Sequence, residues 1–219
     1  MIVTVDGPAG AGKSTAARAL ASRLGFDYLD TGAMYRAVAL AAQRAGLEPA
    51  ETPEFERWLA TLQLEATPAA IRLDGADVAP LIRTPEITAL ASRVAAIPAV
   101  RRFLVGLQRQ AVQGRDIVCD GRDQGTAVFP DAECKFFVTA DRVERARRRQ
   151  RDLQARGEAV ALDAVLAAQD ERDRRDAERA IGPMIPASDA IILDTTARTI
   201  DEVVAHMESI VRQCRPSTP

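Results

Sequence analysis

The chain of 219 residues is poor in histidine, cysteine, lysine and aromatic side chains. Its single histidine, His206, lies in a predicted surface helix, so histidine-based catalysis has no second candidate. Three widely spaced cysteines, Cys119, Cys134 and Cys214, form no metal-binding pattern, which argues against a disulfide framework and against a zinc site. Aromatic residues make up only 4% of the chain, which leaves few rings on which nucleic-acid bases could stack.

Long hydrophobic runs are also missing. No run reaches the roughly 18 to 20 residues that a membrane span needs, and the N-terminus leads directly into a predicted strand. We therefore expect no signal peptide, no membrane anchor and a cytoplasmic protein. The formal net charge of -2 gives no general attraction to nucleic acid or to a membrane. The length suits one α/β domain that carries a small insertion.

The most informative stretch that is present spans residues 7–14. It reads Gly-Pro-Ala-Gly-Ala-Gly-Lys-Ser and matches the phosphate-loop (P-loop) pattern G-x-x-x-x-G-K-[ST] at every defined position. A β-branched run at 2–5 precedes it, and residues 14–24 repeat alanine and leucine at helical spacing. A glycine-rich turn that merely starts a helix is the alternative. The strand-loop-helix context favours a phosphate site.

Each residue type in this loop suits phosphate binding. Glycines allow successive backbone N–H groups to turn toward phosphate oxygens in front of a helix. Lys13 adds a compact charge at the outer phosphates, in a chain whose only other lysine is Lys135. Ser14 offers a hydroxyl to Mg²⁺. The residues predicted to bind ATP here are Gly7, Pro8, Ala9, Gly10, Ala11, Gly12, Lys13, Ser14 and Thr15.

Strands and helices alternate along the rest of the chain, which predicts an α/β fold with a five-stranded parallel sheet flanked by helices. The predicted core strands are 2–5, 26–30, 116–120, 134–138 and 189–194. Short alternating runs between about 60 and 80, with a turn at Asp74 and Gly75, predict a small antiparallel insertion. The whole chain, 1–219, is expected to be one domain.

A charged loop follows the predicted strand that ends at Asp120. A carboxylate at this strand end is expected near the metal of the phosphate loop. Arg122 and Asp123 stand between glycines just beyond it, where ligands bind in open α/β sheets. A turn that is stabilised by a local ion pair is the alternative reading.

Two strongly charged helices are predicted between 141 and 182. The first places Arg145, Arg148 and Arg149 on one face. The second carries a stripe of Arg172, Arg175, Asp176 and Arg179. By themselves such helices are typical of solvated faces with internal salt bridges. Beside a phosphate loop they predict a lid, bracketed by Gly157 and Gly182, that brings cations to bound phosphates.

Several motifs together resemble the bacterial cytidylate kinase family of nucleoside monophosphate kinases over nearly the whole chain. They are Gly7 to Thr15, Asp30-Thr31-Gly32-Ala33-Met34-Tyr35-Arg36, Ile82-Arg83-Thr84, Asp120-Gly121-Arg122-Asp123-Gln124-Gly125-Thr126 with Val128-Phe129-Pro130-Asp131, and Arg172-Asp173-x-x-Asp176-x-x-Arg179. The phosphate loop is generic, whereas the middle and late motifs are specific to this family. Some relatives have serine at the position of Thr31, and the threonine keeps the hydroxyl group.

The resemblance implies phosphoryl transfer from ATP to CMP or dCMP with Mg²⁺. It implies a monophosphate-binding region at 31–100, a lid at 141–182 and a monomeric enzyme with no nucleic-acid or membrane partner. The residues that it implies for the acceptor are Thr31, Arg36, Arg122 and Arg179 around the phosphate, Arg172 and Asp176 at the sugar, and Ser92, Arg101 and Asp123 at the base. Arg145 and Arg148, with Arg149, would serve ATP and the transferring phosphoryl group. The implied catalytic residues are Lys13, Arg122, Arg148 and Arg179.

The residues themselves agree with this chemistry. A phosphate monoester is largely dianionic at neutral pH, so it can attack a phosphoryl group without a general base, and the enzyme must supply alignment and positive charge. Two alternatives stay open: a kinase for another small acceptor, such as UMP or a sugar acid, and a nucleotide-dependent nucleic-acid-binding protein. The chain lacks the Asn-Lys-x-Asp guanine motif, which disfavours a guanine-nucleotide switch.

Overall fold

The structure is a computed structural model that describes residues 1–155 and 157–214. The tail at 215–219, predicted to be disordered, lies outside the described residues. The chain forms two compact units, one made of residues up to Tyr28 and from Arg115 onward, the other of Leu29–Gly114. In the part of the chain that is described, no helix has the length and apolar character to cross a membrane.

The secondary structure follows the alternation that the sequence predicts. The strands are β1 (Ile2–Asp6), β2 (Asp27–Asp30), β3 (Leu64–Ala66), β4 (Ile71–Leu73), β5 (Ala76–Asp77), β6 (Ile117–Asp120), β7 (Cys134–Thr139) and β8 (Ile191–Asp194). The helices are α1 (Lys13–Leu24), α2 (Thr31–Arg44), α3 (Pro53–Thr61), α4 (Pro85–Val94), α5 (Pro98–Ala111), α6 (Arg142–Gln154), α7 (Leu162–Ala177) and α8 (Ile200–Cys214), and a π-helical turn covers Gln124–Val128.

The first unit is built on a five-stranded sheet in the order β2-β6-β1-β7-β8. β1 runs parallel to β6 and to β7, and β7 runs parallel to β8. The register pairs Val5 with both Asp120 and Phe136, so β1 and β6 end within one residue of each other next to the phosphate loop, whereas β7 continues to Thr139. The predicted α/β fold with a parallel sheet is confirmed. This sheet edge is where open α/β folds bind ligands.

Alternation along β1 explains how this strand is buried on both faces. Val3 and Val5 are fully buried in an apolar cluster with residues of α1 and α8. Thr4 and Asp6 point to the opposite face and are also buried. The first face anchors the strand in the core, whereas the second places polar groups beneath the loops at the sheet edge.

The second unit combines helices α2 to α5 with a small antiparallel sheet in the order β3-β4-β5. The predicted insertion is therefore confirmed, including its hairpin turn: Asp74 and Gly75 both adopt positive φ angles, 50° and 80°. Met34, Phe55 and Leu104 are among the fully or almost fully buried side chains that fill its core.

The two charged helices of the first unit form their own small hydrophobic cluster. Ala146 and Leu153 of α6 pack there with Val165 of α7. One detail of the predicted stripe is wrong, because α7 ends at Ala177 and Arg179 lies beyond it. Glycine and proline follow at 182 and 183, and both disfavour continuation of a helix.

Candidate active site

The phosphate loop has the backbone conformation that its glycines predict. Gly7, Gly10 and Gly12 adopt φ angles of 136°, 77° and 86°, a region that disfavours other residues. The space is also closed, since a Cβ atom on Gly7 would lie 2.0 Å from the carbonyl oxygen of Val138. The loop ends at Gly12, and α1 begins at Lys13 with its N-terminal N–H groups facing the loop.

Lys13 lies inside this loop with only 5% of its surface exposed. Its ammonium donates to the carbonyl oxygen of Pro8 at 2.7 Å. Burial, followed by the positive charge of Arg122, lowers the pKa of Lys13, while the carboxylates of Asp120 and Asp6 act in the opposite direction. The loop therefore concentrates positive charge where it is poorly solvated, which strengthens attraction for an anion.

The first turn of α1 and the end of β6 bring together oxygen ligands suited to a hard cation. The Ser14 hydroxyl donates to Oδ2 of Asp120, and the Tyr28 hydroxyl donates to Oδ1 of the same carboxylate at 3.1 Å. Among the described residues, no group of three or more acidic, histidine or cysteine side chains could hold a metal. One hydroxyl and one carboxylate fit Mg²⁺, which keeps several waters and binds substrate phosphates.

Arg145 of α6 contacts the outside of the phosphate loop. Its guanidinium donates to the carbonyl oxygen of Ala9 at 2.9 Å and to Oδ2 of Asp173 at 2.5 Å. Asp173, on α7, in turn accepts from the backbone N–H of Ala9 through Oδ1 at 3.2 Å. The two charged helices therefore hold both backbone polar groups of one loop residue.

Arg148, one turn further along α6, reaches the end of the loop. It donates to the hydroxyl oxygen of Thr195 at 2.9 Å and to the Thr195 carbonyl oxygen at 2.7 Å. The Thr195 hydroxyl lies 3.0 Å from the carbonyl oxygen of Ala11. A Cβ atom on Gly12 would lie 3.8 Å from Nη1 of Arg148. Arg148 therefore lies beside the loop, and both Arg148 and Arg149 are half-buried.

A compact cluster of charge surrounds Asp176. Arg122 donates from Nε to Oδ2 of Asp176 at 2.9 Å, and Arg179 donates to Oδ1. Burial alone would raise the pKa of Asp176, but Arg122, Arg179 and Arg172 hold it below its usual value. The carboxylate is thus charged at neutral pH and fixes two predicted catalytic arginines side by side, although they lie far apart in sequence.

Asp123 directly precedes the π-helical turn, and only 3% of it is exposed. The turn that follows is held by Asp6, whose carboxylate accepts from the backbone N–H groups of Gln124 and Gly125. Arg122 and Asp123, two of the residues predicted to contact the acceptor, therefore lie between one anchored strand and one anchored turn.

The second unit carries the remaining predicted acceptor residues. Thr31 is the buried first residue of α2, and Arg36 lies one turn later. Arg36 is paired with Asp30 at 3.0 Å, and Arg83 is paired with the same carboxylate at 3.1 Å. Asp30 also caps α2 by accepting from the backbone N–H of Ala33. Asp30 thus orients two cations while it fixes the start of the helix.

Ser92 and Arg101, predicted at the base, belong to neighbouring helices of this unit. Ser92 lies on α4, and its hydroxyl oxygen is buried without a hydrogen-bond partner in the described part of the chain. Arg101 lies on α5 and is 3% exposed. A buried hydroxyl such as that of Ser92 is costly unless a ligand or water satisfies it.

Sequence reasoning did not single out four residues that organise these sites. They are Asp6, Asp30, Asp173 and Thr195. Asp6, Asp30 and Thr195 come at or directly after the ends of β1, β2 and β8, so the rule that ligands gather at the carboxyl ends of parallel strands could have pointed to them. Asp173 stands in the Arg172-Asp173-x-x-Asp176-x-x-Arg179 motif, but that motif does not indicate its contact with the phosphate loop.

Comparison with known proteins finds a matching family model, similar relatives and a solved structure of similar fold. A family model described as cytidylate kinase matches residues 3–213. A protein named cytidylate kinase from Rhodopirellula baltica is 46% identical over 214 residues, covering 98% of this chain and 93% of the relative. One from Pelotomaculum thermopropionicum is 48% identical over 207 residues, covering 92% of each. A solved structure of an uncharacterized protein from Eubacterium ventriosum aligns over 98% of both chains with a TM-score of 0.53 and 12% identity, a likeness of fold alone.

Proposed function

Because the chain belongs to the cytidylate kinase family, we propose that it transfers the terminal phosphoryl group of ATP to CMP or dCMP, giving ADP and CDP or dCDP. The observation that carries this proposal is the pairing of a phosphate loop with a separate cluster of arginines around Asp176. One anion site suits the donor, and the other suits the phosphate of the acceptor.

On the donor side, the loop backbone from Gly7 to Thr15 and the Lys13 ammonium would bind the ATP phosphates. Ser14 would hold Mg²⁺, with Asp120 beside it accepting a hydrogen bond from the Ser14 hydroxyl. When bound, Mg²⁺ neutralises charge on the phosphate oxygens and helps to align them. The Tyr28 hydroxyl donates to the other oxygen of the Asp120 carboxylate and so helps to hold it in place.

On the acceptor side, Arg122 and Arg179 would contact the monophosphate. This group is largely dianionic at neutral pH, since its second pKa is near 6, so one of its oxygens can form the new P–O bond without a general base. The bond between the γ-phosphorus and the β–γ bridging oxygen breaks, and ADP leaves with that electron pair. The task of the arginines is to overcome repulsion between two anions, which agrees with a site that contains no histidine.

Base recognition would depend on Asp123, with Ser92 and Arg101. The cytosine N4 amino group is a hydrogen-bond donor that suits a carboxylate. Its O2 and N3 atoms are acceptors that suit a guanidinium. We assign Thr31 and Arg36 to the acceptor phosphate, and Arg172 with Asp176 to the sugar. These roles follow the family motifs, and the region from 31 to 100 is proposed to bind the monophosphate.

The lid region, 141–182, would complete the donor site. We propose that Arg148 reaches the transferring phosphoryl group, because it already lies beside Gly12 of the loop. Arg145 would act on ATP mainly through the loop, since its guanidinium contacts Ala9 and Asp173. A well-placed arginine can be worth on the order of 10³ to 10⁵ in rate.

We further propose that the enzyme acts as a monomer in the cytoplasm, without a nucleic-acid or membrane partner. All three cysteines are free thiols, and two of them, Cys119 and Cys134, are buried. Free thiols are usual in reducing compartments. A net charge of -2 offers no general attraction to polyanions.

The direct test is ADP formation by the purified chain with ATP, Mg²⁺ and one acceptor at a time. We expect CMP and dCMP to be used with kcat/KM at least about tenfold above that for UMP or AMP, because a carboxylate favours the N4 amino donor over the O4 acceptor of uracil. Addition of a chelator should abolish turnover. Failure to consume ATP with CMP and dCMP would refute the proposal, and a preference for UMP would favour a kinase for another acceptor.

A further inference from the structure

Asp6 is the last residue of β1 and directly precedes the phosphate loop. Its Oδ1 accepts from the backbone N–H of Gln124 at 2.9 Å, and its Oδ2 accepts from the N–H of Gly125 at 2.8 Å. Only 4% of Asp6 is exposed. A single buried carboxylate therefore spans from the donor loop to the segment that directly follows Arg122 and Asp123.

The chemistry of this contact requires a carboxylate. Two N–H donors approach the two oxygens separately, and an ionised carboxyl group is the side-chain end that offers acceptor capacity at both positions. Asparagine has one carbonyl oxygen and would turn an amide N–H₂ group toward one of the backbone donors. A serine could accept at one position only. A polar side chain of similar size therefore could not replace Asp6 in this pair of hydrogen bonds.

The segment is also packed tightly onto Asp6. A Cβ atom on Gly125 would lie 2.9 Å from Oγ1 of Thr4, 3.2 Å from Cδ of Lys135 and 3.5 Å from Oδ2 of Asp6. Contacts below 3.0 Å force a shift of the neighbours or of the segment. The absence of a side chain at Gly125 thus permits the short hydrogen bond that its N–H donates to Asp6.

The electrostatic cost of this arrangement is considerable. Burial raises the pKa of Asp6 to about 7, the two backbone N–H groups lower it, the Asp123 carboxylate raises it and the Lys13 ammonium lowers it. A buried charge persists where hydrogen bonds compensate it. The groups that compensate Asp6 are the donor-site lysine and the acceptor-loop backbone, so the carboxylate contacts or faces both substrate sites.

We propose that Asp6 is a positioning residue for acceptor recognition: by fixing the backbone at Gln124 and Gly125, it sets where Arg122 and Asp123 present their side chains to the nucleoside monophosphate. This inference rests on the proposed function of those two residues. Asp6 acts through the backbone of the acceptor loop.

The test compares Asp6→Asn with the wild-type chain by steady-state kinetics and by backbone amide exchange. We expect the KM for CMP to rise about tenfold and the preference for CMP over UMP to fall, because one buried charge-assisted hydrogen bond is lost. The KM for ATP should stay within about twofold of wild type, since the backbone of the phosphate loop is unaltered. Exchange at the amides of Gln124 and Gly125 should become at least about tenfold faster.

Val5→Ala supplies the matched control. Val5 is the fully buried neighbour of Asp6 on β1 and faces the opposite, apolar side. It should lower thermal stability without changing acceptor preference or the exchange of the two amides relative to other protected amides. If Asp6→Asn behaves like Val5→Ala, or raises both KM values equally, the positioning role is refuted.

Gly125→Ala provides a second variant that leaves Asp6 intact, in case Asp6→Asn does not fold. Its methyl group should push the segment away from the carboxylate, so we expect the same rise in the KM for CMP and the same faster exchange at Gln124. Unchanged acceptor kinetics in this variant would overturn the proposal. Wild-type chain that phosphorylates no monophosphate would instead refute the proposed function, while the exchange measurement would still test the contact.

Discussion

Arg148 donates to both the hydroxyl oxygen and the carbonyl oxygen of Thr195, at 2.9 and 2.7 Å. The same hydroxyl lies 3.0 Å from the carbonyl oxygen of Ala11 and 3.1 Å from that of Thr139. A residue that follows the last strand of the sheet therefore connects the phosphate loop with α6. The Ala11 contact and one of the two Arg148 contacts depend on the hydroxyl, so both can be removed with little change in side-chain volume, while Arg148 keeps its contact with the Thr195 carbonyl oxygen.

Thr195→Val should raise the KM for ATP about tenfold, because Arg148 loses a buried acceptor and the Ala11 carbonyl loses a donor. The KM for CMP should change less. Thr195→Ser retains the hydroxyl and is the matched control, which should remain close to wild type. Steady-state kinetics with each substrate varied in turn measures both values. Equal losses in the two variants would show that packing by the methyl group, rather than the hydroxyl, matters.

Lys13→Ala should reduce turnover by at least about 10²-fold while the chain stays folded, because the ammonium stabilises charge on the transferring phosphoryl group. The comparison is Lys135→Met, which removes the only other lysine. Lys135 is also buried, but it pairs with Asp189 at 2.8 Å. That variant should lose stability and retain most of its turnover per folded molecule. Near-native rates in Lys13→Ala would contradict the role assigned to the loop.

Asp123→Ala should weaken selection for cytosine more than binding of ATP. The carboxylate is the proposed partner of the N4 amino group, so the ratio of kcat/KM for CMP over UMP should fall by about tenfold or more. Asp201→Ala removes an exposed carboxylate that pairs with Arg23 on the surface, and it serves as the control. An unchanged CMP to UMP ratio in Asp123→Ala would remove this residue from base recognition.

The contribution of Asp6 to the free energy of unfolding should fall as the pH rises from about 4 to about 7. Burial raises the pKa of Asp6 from 3.8 to about 7, so the folded chain binds more protons than the unfolded chain in this window. Its contribution is complete below pH 4 and is lost as the pH rises through 7, with a slope of at most about 1.4 kcal/mol per pH unit.

Urea unfolding of the wild-type chain and of Asp6→Asn at several pH values measures this slope. Lys13, whose pKa burial lowers, contributes the opposite slope, and Asp6 raises that pKa, so the difference between the two proteins reports on Asp6 together with its effect on Lys13. Asp176 and Asp189, whose pKa values are lowered, change charge only in more acidic solution. Parallel curves for the two proteins would show that Asp6 does not titrate in this range.

Much of the fold could be predicted because local sequence and tertiary structure agree. The β-branched run at the start of β1, the loop glycines and the Asp74-Gly75 turn each have a local physical cause, and the structure confirms them. The two charged helices predicted between 141 and 182 are present as α6 and α7. The sequence predicted that Arg179 lies on α7 because we continued the helical spacing beyond Ala177, where the helix ends. Glycine and proline follow shortly after, at 182 and 183.

The supporting residues were harder to predict because their partners are distant in the chain. Asp6 and Gln124 are 118 positions apart, and Thr195 and Ala11 are 184 apart. No periodic pattern in the sequence indicates such a pair, because the two residues come together only through the register of the strands in the sheet. Arg122 and Asp176 were each singled out from the sequence, but only the structure brings them within 2.9 Å.

The apolar cluster shared by α6 and α7 has a mechanical consequence. Ala146, Leu153 and Val165 bind the two helices to each other independently of the sheet. We expect a displacement of α6 to carry α7 with it, so that Arg145 and its partner Asp173 travel together. Leu153→Ala would weaken this mechanical coupling and let the two side chains separate.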